Sequence, residues 1–142
     1  MNTVVILSSI FSAIAAIASS VTAIVALKIS SKYQKAQIEL NMTTFLNDAK
    51  RMFMLSIQEY SLNDDKSLYL SNIELLLSAY DQACTKYLQK KVDAGWFTAT
   101  IGEEINKIVS SNTEIKNVYK ADDLSYRYIK QYINDVYKKP LV

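Results

Sequence analysis

The chain has 142 residues, with two glycines, one proline, no histidine and a formal net charge of +2. Such a small charge, without a basic run, disfavours a nucleic-acid surface, and the lack of histidine removes the commonest general base and metal ligand. Because helix-breaking residues are scarce, the composition favours long helices.

Residues 4–27 form an uncharged, apolar segment without glycine or proline. Twelve of its 24 residues are Val, Ile, Leu or Phe, and the others are Ala, Ser and a single Thr. A helix of this length extends roughly 36 Å, which exceeds the roughly 30 Å hydrocarbon core of a bilayer. The sequence therefore predicts a transmembrane helix over 4–27, preceded by a short tail, residues 1–3.

The charges around this segment predict whether it is cleaved and how it is oriented in the membrane. A cleaved signal peptide begins with basic residues, but here every charged side chain lies at or after Lys28. We therefore expect an uncleaved, single-pass anchor. Lys28, Lys32 and Lys35 mark a basic juxtamembrane helix, residues 28–37. By the positive-inside rule they predict an inner-membrane protein whose C-terminal domain is cytoplasmic, with the opposite orientation as the alternative.

Small side chains are concentrated on one face of the predicted anchor. They recur at alternating spacings of four and three residues, in two neighbouring columns that include Ser8, Ser12, Ala15, Ala16, Ser19, Ser20 and Ala23. Bulky residues such as Ile10, Ile14 and Ile17 share the opposite face. Small faces let membrane helices pack closely, and hydroxyl groups can add interhelical hydrogen bonds. We expect the anchor to pair with its own copy or with another membrane protein; the alternative is that small residues are merely tolerated there.

Residues 38–142 show the periodicity of a small helical domain, so the predicted fold class is all-α, a single transmembrane helix followed by a helical bundle. The first amphipathic helix reaches about Tyr60 and carries an apolar column of Ile38, Met42, Phe45, Ala49 and Met52, with Leu46, Phe53, Ile57 and Tyr60 beside it. Residues 62–65 are expected to form a turn. Further helices are predicted at about 65–93, 96–110, 113–120 and 122–138. The predicted core contains Ile73, Leu76, Tyr80, Ile105 and Ile133.

Polar residues at the helix starts predict how these helices are capped. Thr100 with Glu103, and Ser111 with Glu114, have the spacing of a capping box. Asp122 or Asp123 is expected to cap the last helix, which Pro140 ends. These capping roles account for the adjacent acidic residues without catalysis.

The last helix carries four of the ten tyrosines. Tyr126 shares a buried stripe with isoleucines, and core packing with solvent-facing hydroxyls is the simpler interpretation. Tyr128, Tyr132 and Tyr137 fit that stripe less well, so the alternative is an exposed aromatic face that binds a partner.

No pattern in the sequence indicates catalysis. Neighbouring carboxylates such as Glu103 and Glu104 diverge on a helix, and the chain has no glycine-rich phosphate loop and no cysteine pair with metal spacing. Cys84 lies in an apolar stripe and is interpreted as a small buried side chain. We expect a protein that is not an enzyme and that binds no cofactor, metal or small-molecule substrate.

Two short stretches carry a resemblance. Leu70-Ser71-Asn72-Ile73-Glu74 opens a helix that ends in Val92-Asp93-Ala94-Gly95-Trp96-Phe97. Together with the uncharged N-terminal segment, this order resembles that of small, uncharacterised bacterial membrane proteins often carried by mobile elements. The resemblance implies one anchor with a cytoplasmic helical domain, and it carries over no catalytic residue.

These observations favour a membrane-tethered, self-associating interaction module, an adaptor or sensor for which phage defence or exclusion is the associated interpretation. Its expected partners are the lipid bilayer and its own copy or another membrane protein. One alternative is a membrane-perturbing effector, such as a small toxin or holin-like protein. A second alternative is an accessory subunit of a larger membrane complex.

Overall fold

The computed structural model describes residues 2–63, 66–121 and 125–137. The elements in these ranges are α1 (Asn2–Asn63), α2 (Lys66–Leu88), α3 (Ala94–Phe97), a π-helical turn (Thr98–Gly102), α4 (Glu103–Ser111), α5 (Thr113–Lys120) and α6 (Arg127–Tyr137). All of them are helical, and the described residues contain no strand. The prediction of an all-α protein is confirmed.

The chain divides into two compact units, Met1–Gln37 and Ile38–Val142. The first unit is helical from Asn2 onward, and Ser30 and Ser31 do not interrupt its helix. Its described side chains are exposed almost throughout, so this unit has no core of its own.

The second unit has one hydrophobic core built around α2. Ile73, Leu76 and Tyr80 are almost completely buried, as is Ile105 of α4. Ile133 of α6 is half-buried and packs against this core. Four of the five predicted core residues are therefore fully buried and the fifth lies at the edge.

The buried face of the second unit's part of α1 differs from the predicted column. Met42, Leu46 and Ala49 are buried, whereas Phe45 and Met52 are 41% and 44% exposed. Phe45 and Met52, which belong to the predicted apolar column, therefore lie outside the buried face. The two residues are seven positions apart and share a column, but that column lies to one side of the face that contacts the rest of the domain.

Helix α2 ends five residues earlier than predicted, at Leu88. Lys90 adopts a left-handed conformation with φ of 56°. The amide of Lys90 donates to the carbonyl of Tyr87 over 2.8 Å, and that of Lys91 donates to the carbonyl of Lys86 over 3.0 Å. These two bonds form a Schellman motif, in which a lysine occupies the position that usually holds glycine.

The predicted helix at 96–110 is a composite of α3, the π-helical turn and α4. Asp93 caps its start, because the Asp93 Oδ1 atom accepts a hydrogen bond from the Trp96 amide over 2.8 Å. The Asp93 amide donates in turn to the Glu39 carboxylate of α1 over 2.8 Å. Thr100 lies inside the π-helical turn, so the predicted capping box of Thr100 with Glu103 does not form the start of a helix.

The caps of α5 and α6 also differ from the prediction. Asn112, rather than Ser111, is the N-cap of α5, since its Oδ1 atom accepts from the Ile115 amide over 3.1 Å. The predicted turn at 62–65 is wrong for Leu62 and Asn63, which belong to α1, and its residues 64–65 lie outside the described residues. The predicted caps Asp122 and Asp123 and the predicted helix end near Pro140 also lie outside the described residues. Within the described residues, α6 begins at Arg127 and is capped by the distant Asp81, as shown below.

Candidate membrane anchor and interaction surfaces

Among the described residues, α1 is the one helix long and apolar enough to cross a bilayer. The core helix of a soluble protein would pass the same test of length and composition, as would a signal sequence. However, none of the most apolar stretch of α1 is buried against the rest of the protein. The core helix of a soluble protein would be covered by other parts of the chain. The apolar part of α1 is therefore a candidate membrane span that needs an apolar environment from outside the chain.

The small-residue face of this span is open along its length. All seven residues of the predicted interface are exposed, namely Ser8, Ser12, Ala15, Ala16, Ser19, Ser20 and Ala23. Ile14 and Ile17 on the opposite face are 58% and 65% exposed. The two faces therefore differ in side-chain size and not in accessibility, and only the small face allows a second helix to approach closely.

Three hydroxyl groups on or beside this face donate hydrogen bonds within the helix. Ser19 Oγ donates to the Ala15 carbonyl over 2.8 Å, and Ser20 Oγ donates to the Ala16 carbonyl over 2.8 Å. Thr22 Oγ1 donates to the carbonyl of residue 18 over 2.9 Å. These hydroxyl protons are already used, so the three side chains can accept but not donate a bond across a helix interface. Around Ser19, Ser20 and Thr22 the contact that this face offers in this conformation is therefore close packing rather than donated hydrogen bonds.

The three predicted juxtamembrane lysines differ slightly in accessibility. Lys28 and Lys32 are exposed and Lys35 is half-buried. Lysines directly beside a membrane span are attracted to anionic lipid headgroups, with roughly 1 kcal/mol for each charge near the surface. Their long side chains also let the charge reach the interface while the stem lies along the apolar helix.

The predicted aromatic partner face on α6 is not an exposed face. Tyr132 is fully buried, and its ring meets the rings of Tyr87 and Phe97 edge-on at centroid distances of 5.1 Å and 5.2 Å. Tyr128 and Tyr137 are half-buried. The alternative of an exposed aromatic face is wrong for Tyr132, because the helix turns this residue towards α2 and the π-helical turn.

Tyr132 lies directly against Gly102 at the end of the π-helical turn. A Cβ atom at residue 102 would overlap the Tyr132 hydroxyl oxygen, so glycine is the residue that permits this contact. The Tyr132 hydroxyl is buried without a hydrogen-bond partner among the described residues. Burial raises the pKa of Tyr132 to about 12. The Tyr137 hydroxyl, in contrast, donates to the Gly102 carbonyl over 3.3 Å.

A second buried tyrosine, Tyr80, lies near an ion pair. The Lys50 Nζ atom is 2.6 Å from Glu104 Oε2, which joins α1 to α4, and it lies 6.0 Å from the centre of the Tyr80 ring. Burial raises the pKa of Tyr80 well above its usual value, and the Glu104 carboxylate raises it further. Burial similarly raises the pKa of the Cys84 thiol, so Cys84 is an unreactive core residue, in keeping with its predicted role.

Asp81 of α2 provides the contact that sequence reasoning missed. Its Oδ1 atom accepts hydrogen bonds from the Tyr128 and Ile129 amides over 2.9 Å and 3.0 Å. It therefore caps the N-terminus of α6 from a position 46 residues before that helix begins. No local pattern signals such a cap, because the acceptor and the amides meet only after α6 has packed against α2.

Open apolar side chains of the second unit lie on α1 and α2. Phe45 contributes to a groove of about 300 Å³, whose other lining residues are Ile38, Asn41, Met42, Ala79, Gln82, Ala83 and Lys86. Leu55 and Leu62 of α1 are 50% and 80% exposed. The sequence pattern of α1 had suggested a single apolar face, and exposed leucines outside that face show that its opposite side is also partly apolar.

The described residues contain no group of three or more His, Cys, Asp or Glu side chains arranged to hold a metal ion. Comparison with known proteins gives no match to a family model, to a curated protein or to a solved structure.

Proposed function

We propose that the protein is a membrane-tethered, self-associating interaction module, in which α1 anchors a helical domain at the cytoplasmic face of the inner membrane. The observation that carries the proposal is the uncovered apolar span of α1, which combines a small-residue face with an opposite face of bulky aliphatic side chains. Bulky side chains suit contact with lipid chains, and small ones suit contact with another helix.

The orientation is supported by the lysines. Lys28, Lys32 and Lys35 follow the span, and no charged side chain precedes it in the sequence. A phosphatase fused after Val142 should be inactive in the bacterial cytoplasm, whereas a fluorescent protein at the same place should be bright. Phosphatase activity outside the cytoplasm, or a mature protein that begins near Ile24, would contradict the proposed topology.

Self-association is supported by the accessibility of the small face. Replacing Ala15 or Ser19 by isoleucine keeps the span apolar, so its insertion into the membrane is preserved. The larger side chain adds bulk where a second helix would pack. A membrane two-hybrid signal should therefore fall for Ala15→Ile and Ser19→Ile. Ile14→Leu and Ile17→Leu are the matched controls on the opposite face and should leave the signal unchanged. Equal signals from all four variants would refute pairing through the small face.

The role as an interaction module, rather than as a membrane-perturbing effector, has a separate test. A tethered adaptor leaves the bilayer intact, so overexpression should not change the membrane potential reported by a voltage-sensitive dye. Rapid depolarisation that is abolished by Ala15→Ile would instead indicate that the paired anchors open the bilayer.

A further inference from the structure

We propose that the groove between α1 and α2 binds an anionic amphiphile with a single alkyl chain, such as a fatty acid. The groove has a volume of about 300 Å³, and all of its lining residues belong to the second unit. The inference therefore goes beyond the proposed function and depends neither on the membrane anchor nor on self-association. The sequence predicted no small-molecule substrate, because this groove exists only once α1 and α2 have packed together.

The two helices that form the groove are antiparallel. At one end of the pair, the Glu39 carboxylate of α1 accepts a hydrogen bond from the Asp93 amide, just beyond the end of α2. At the other end, the rings of Tyr60 and Tyr69 are stacked with 5.2 Å between their centres. Residues that come early in α1 within this unit therefore lie beside residues that come late in α2.

The lining of the groove is mainly apolar and is charged at one end. It spans 38–45 on α1 and 79–86 on α2, which corresponds to roughly 10 Å along each helix. Lys86 is the one charged residue of this described lining, and the antiparallel packing places it opposite the start of the 38–45 stretch. Phe45 lies at the far end. Ligand sites are typically apolar clefts in which a few polar groups fix the orientation. An alkyl chain would lie along the groove with its headgroup at Lys86.

The charges at the Lys86 end favour an anionic headgroup. The Lys91 amide donates to the Lys86 carbonyl over 3.0 Å, so the backbones of Lys86, Lys90 and Lys91 lie together at the end of α2. All three lysines are exposed. Two carboxylates lie near them, but both already accept backbone amides, since Glu39 binds the Asp93 amide and Asp93 caps α3. Three cations beside two bonded carboxylates leave this end of the groove positive.

The size of the groove favours a small amphiphile over a protein partner. A helix with its side chains is about 10–12 Å across, and a stable interface takes roughly 800 Å² from each protein. A groove roughly 10 Å long offers much less than this. Its volume of about 300 Å³ lies at the lower end of the roughly 300–1,000 Å³ that small-molecule sites provide. Each methylene group of a chain buried there should tighten binding about fourfold.

Photolabelling of the full-length protein in nanodiscs of neutral phosphatidylcholine tests the site. The probe is a fatty acid with a diazirine in its chain, and the corresponding fatty alcohol is the uncharged control. The acid should label the tryptic peptides 36–50 and 67–86, which contain the two sides of the groove, severalfold more than the alcohol does. Labelling confined to residues 1–28 would show partition into the bilayer alone and would overturn the inference.

Two pairs of variants separate recognition of the headgroup from recognition of the chain. Gln82→Glu adds a negative charge at an exposed lining position, four residues before Lys86. It should reduce labelling by the acid severalfold and leave labelling by the alcohol unchanged. Gln58→Glu, which is exposed on α1 outside the groove, is its matched control.

Phe45→Ala removes the apolar wall at the far end of the groove, so it should weaken labelling by both probes. Leu55→Ala is the matched control on α1, since Phe45 and Leu55 are 41% and 50% exposed. Equal labelling of Gln82→Glu and Gln58→Glu by the acid would overturn the assigned headgroup end. Equal labelling of Phe45→Ala and Leu55→Ala would overturn the groove as the site of the chain.

Discussion

The contact between Gly102 and Tyr132 allows a sharp test of the domain's packing. A Cβ atom at residue 102 would overlap the Tyr132 hydroxyl oxygen and would lie 3.0 Å from the ring carbon that carries it. Tyr132 is fully buried, so its ring cannot move aside into solvent. Gly102→Ala should therefore destabilise the domain by about 1–3 kcal/mol through overpacking, less the roughly 0.5–1 kcal/mol that alanine gains over glycine in a helix.

Tyr132→Phe separates the steric effect from other causes. The hydroxyl that it removes is buried without a hydrogen-bond partner among the described residues. An unpaired buried hydroxyl costs about 1–3 kcal/mol, so Tyr132→Phe alone should be neutral or stabilising. In the Tyr132→Phe background, Gly102→Ala meets only the ring carbon, which must shift by a few tenths of an ångström. The cost of Gly102→Ala should fall, giving a coupling energy of about 0.5–3 kcal/mol.

The measurement is urea unfolding of the full-length protein in mild detergent, followed through fluorescence. The single tryptophan, Trp96, is half-buried and packs against the core of the second unit, so its emission reports on that unit and not on the anchor. Equal destabilisation by Gly102→Ala in both backgrounds would refute the steric explanation. A stabilised Gly102→Ala protein would show that Tyr132 does not approach residue 102 this closely.

Three further predictions use the same assay. Leu76→Ala should cost about 2–5 kcal/mol because Leu76 is 2% exposed, whereas Leu75→Ala, at a 40% exposed site, should cost much less; equal losses would contradict the assigned core. Asp81→Ala should cost about 0.5–2 kcal/mol by removing the cap of α6, and Asp81→Asn, which keeps an acceptor, should cost less; no loss with Asp81→Ala would contradict the cap. Stability should fall as the pH rises from 10 to about 12, because burial raises the pKa of Tyr132 from 10 to about 12 and the folded state therefore resists ionisation, and the raised pKa values of Tyr80 and of the Cys84 thiol add to the alkaline decline. Tyr132→Phe should make this decline in stability shallower. An unchanged decline would show that ionisation of other groups causes it.

The helices could largely be predicted from sequence because their causes are local. The scarcity of glycine and proline permits α1 to run from Asn2 to Asn63, and the apolar period of α2 fixes its buried stripe. The predicted bounds of α5, 113–120, agree with the structure. The predictions that failed involved two neighbouring local signals. Asn112 is the N-cap of α5, where the adjacent Ser111 was expected. Helix α2 ends in a motif with Lys90 in the left-handed position, before the glycine at which its end was expected.

The candidate site could be predicted where it depends on one helix alone. The small and bulky faces of the apolar segment follow directly from residue spacing, and every described residue of both faces is exposed; pairing through the small face stays a proposal. The direction of the hydroxyl bonds could not be predicted, because a serine can donate either to its own helix or to a neighbour. The structure shows donation within the helix for Ser19 and Ser20, which shifts the expected pairing energy from hydrogen bonds to packing.

The failed prediction for the α6 tyrosines has a non-local cause that also bears on where partners can bind. Two features fix the position of α6: the cap that Asp81 of α2 provides at its N-terminus, and the space that Gly102 of the π-helical turn leaves for Tyr132. Both partners lie far from α6 in sequence, so the periodicity of α6 alone could not reveal which of its faces is buried. Once α6 is held in this way, Tyr132 is part of the core and cannot meet a partner without unfolding. The exposed apolar side chains of α1, such as Ile14, Ile17 and Leu62, are accessible without any rearrangement, so interactions are best sought there.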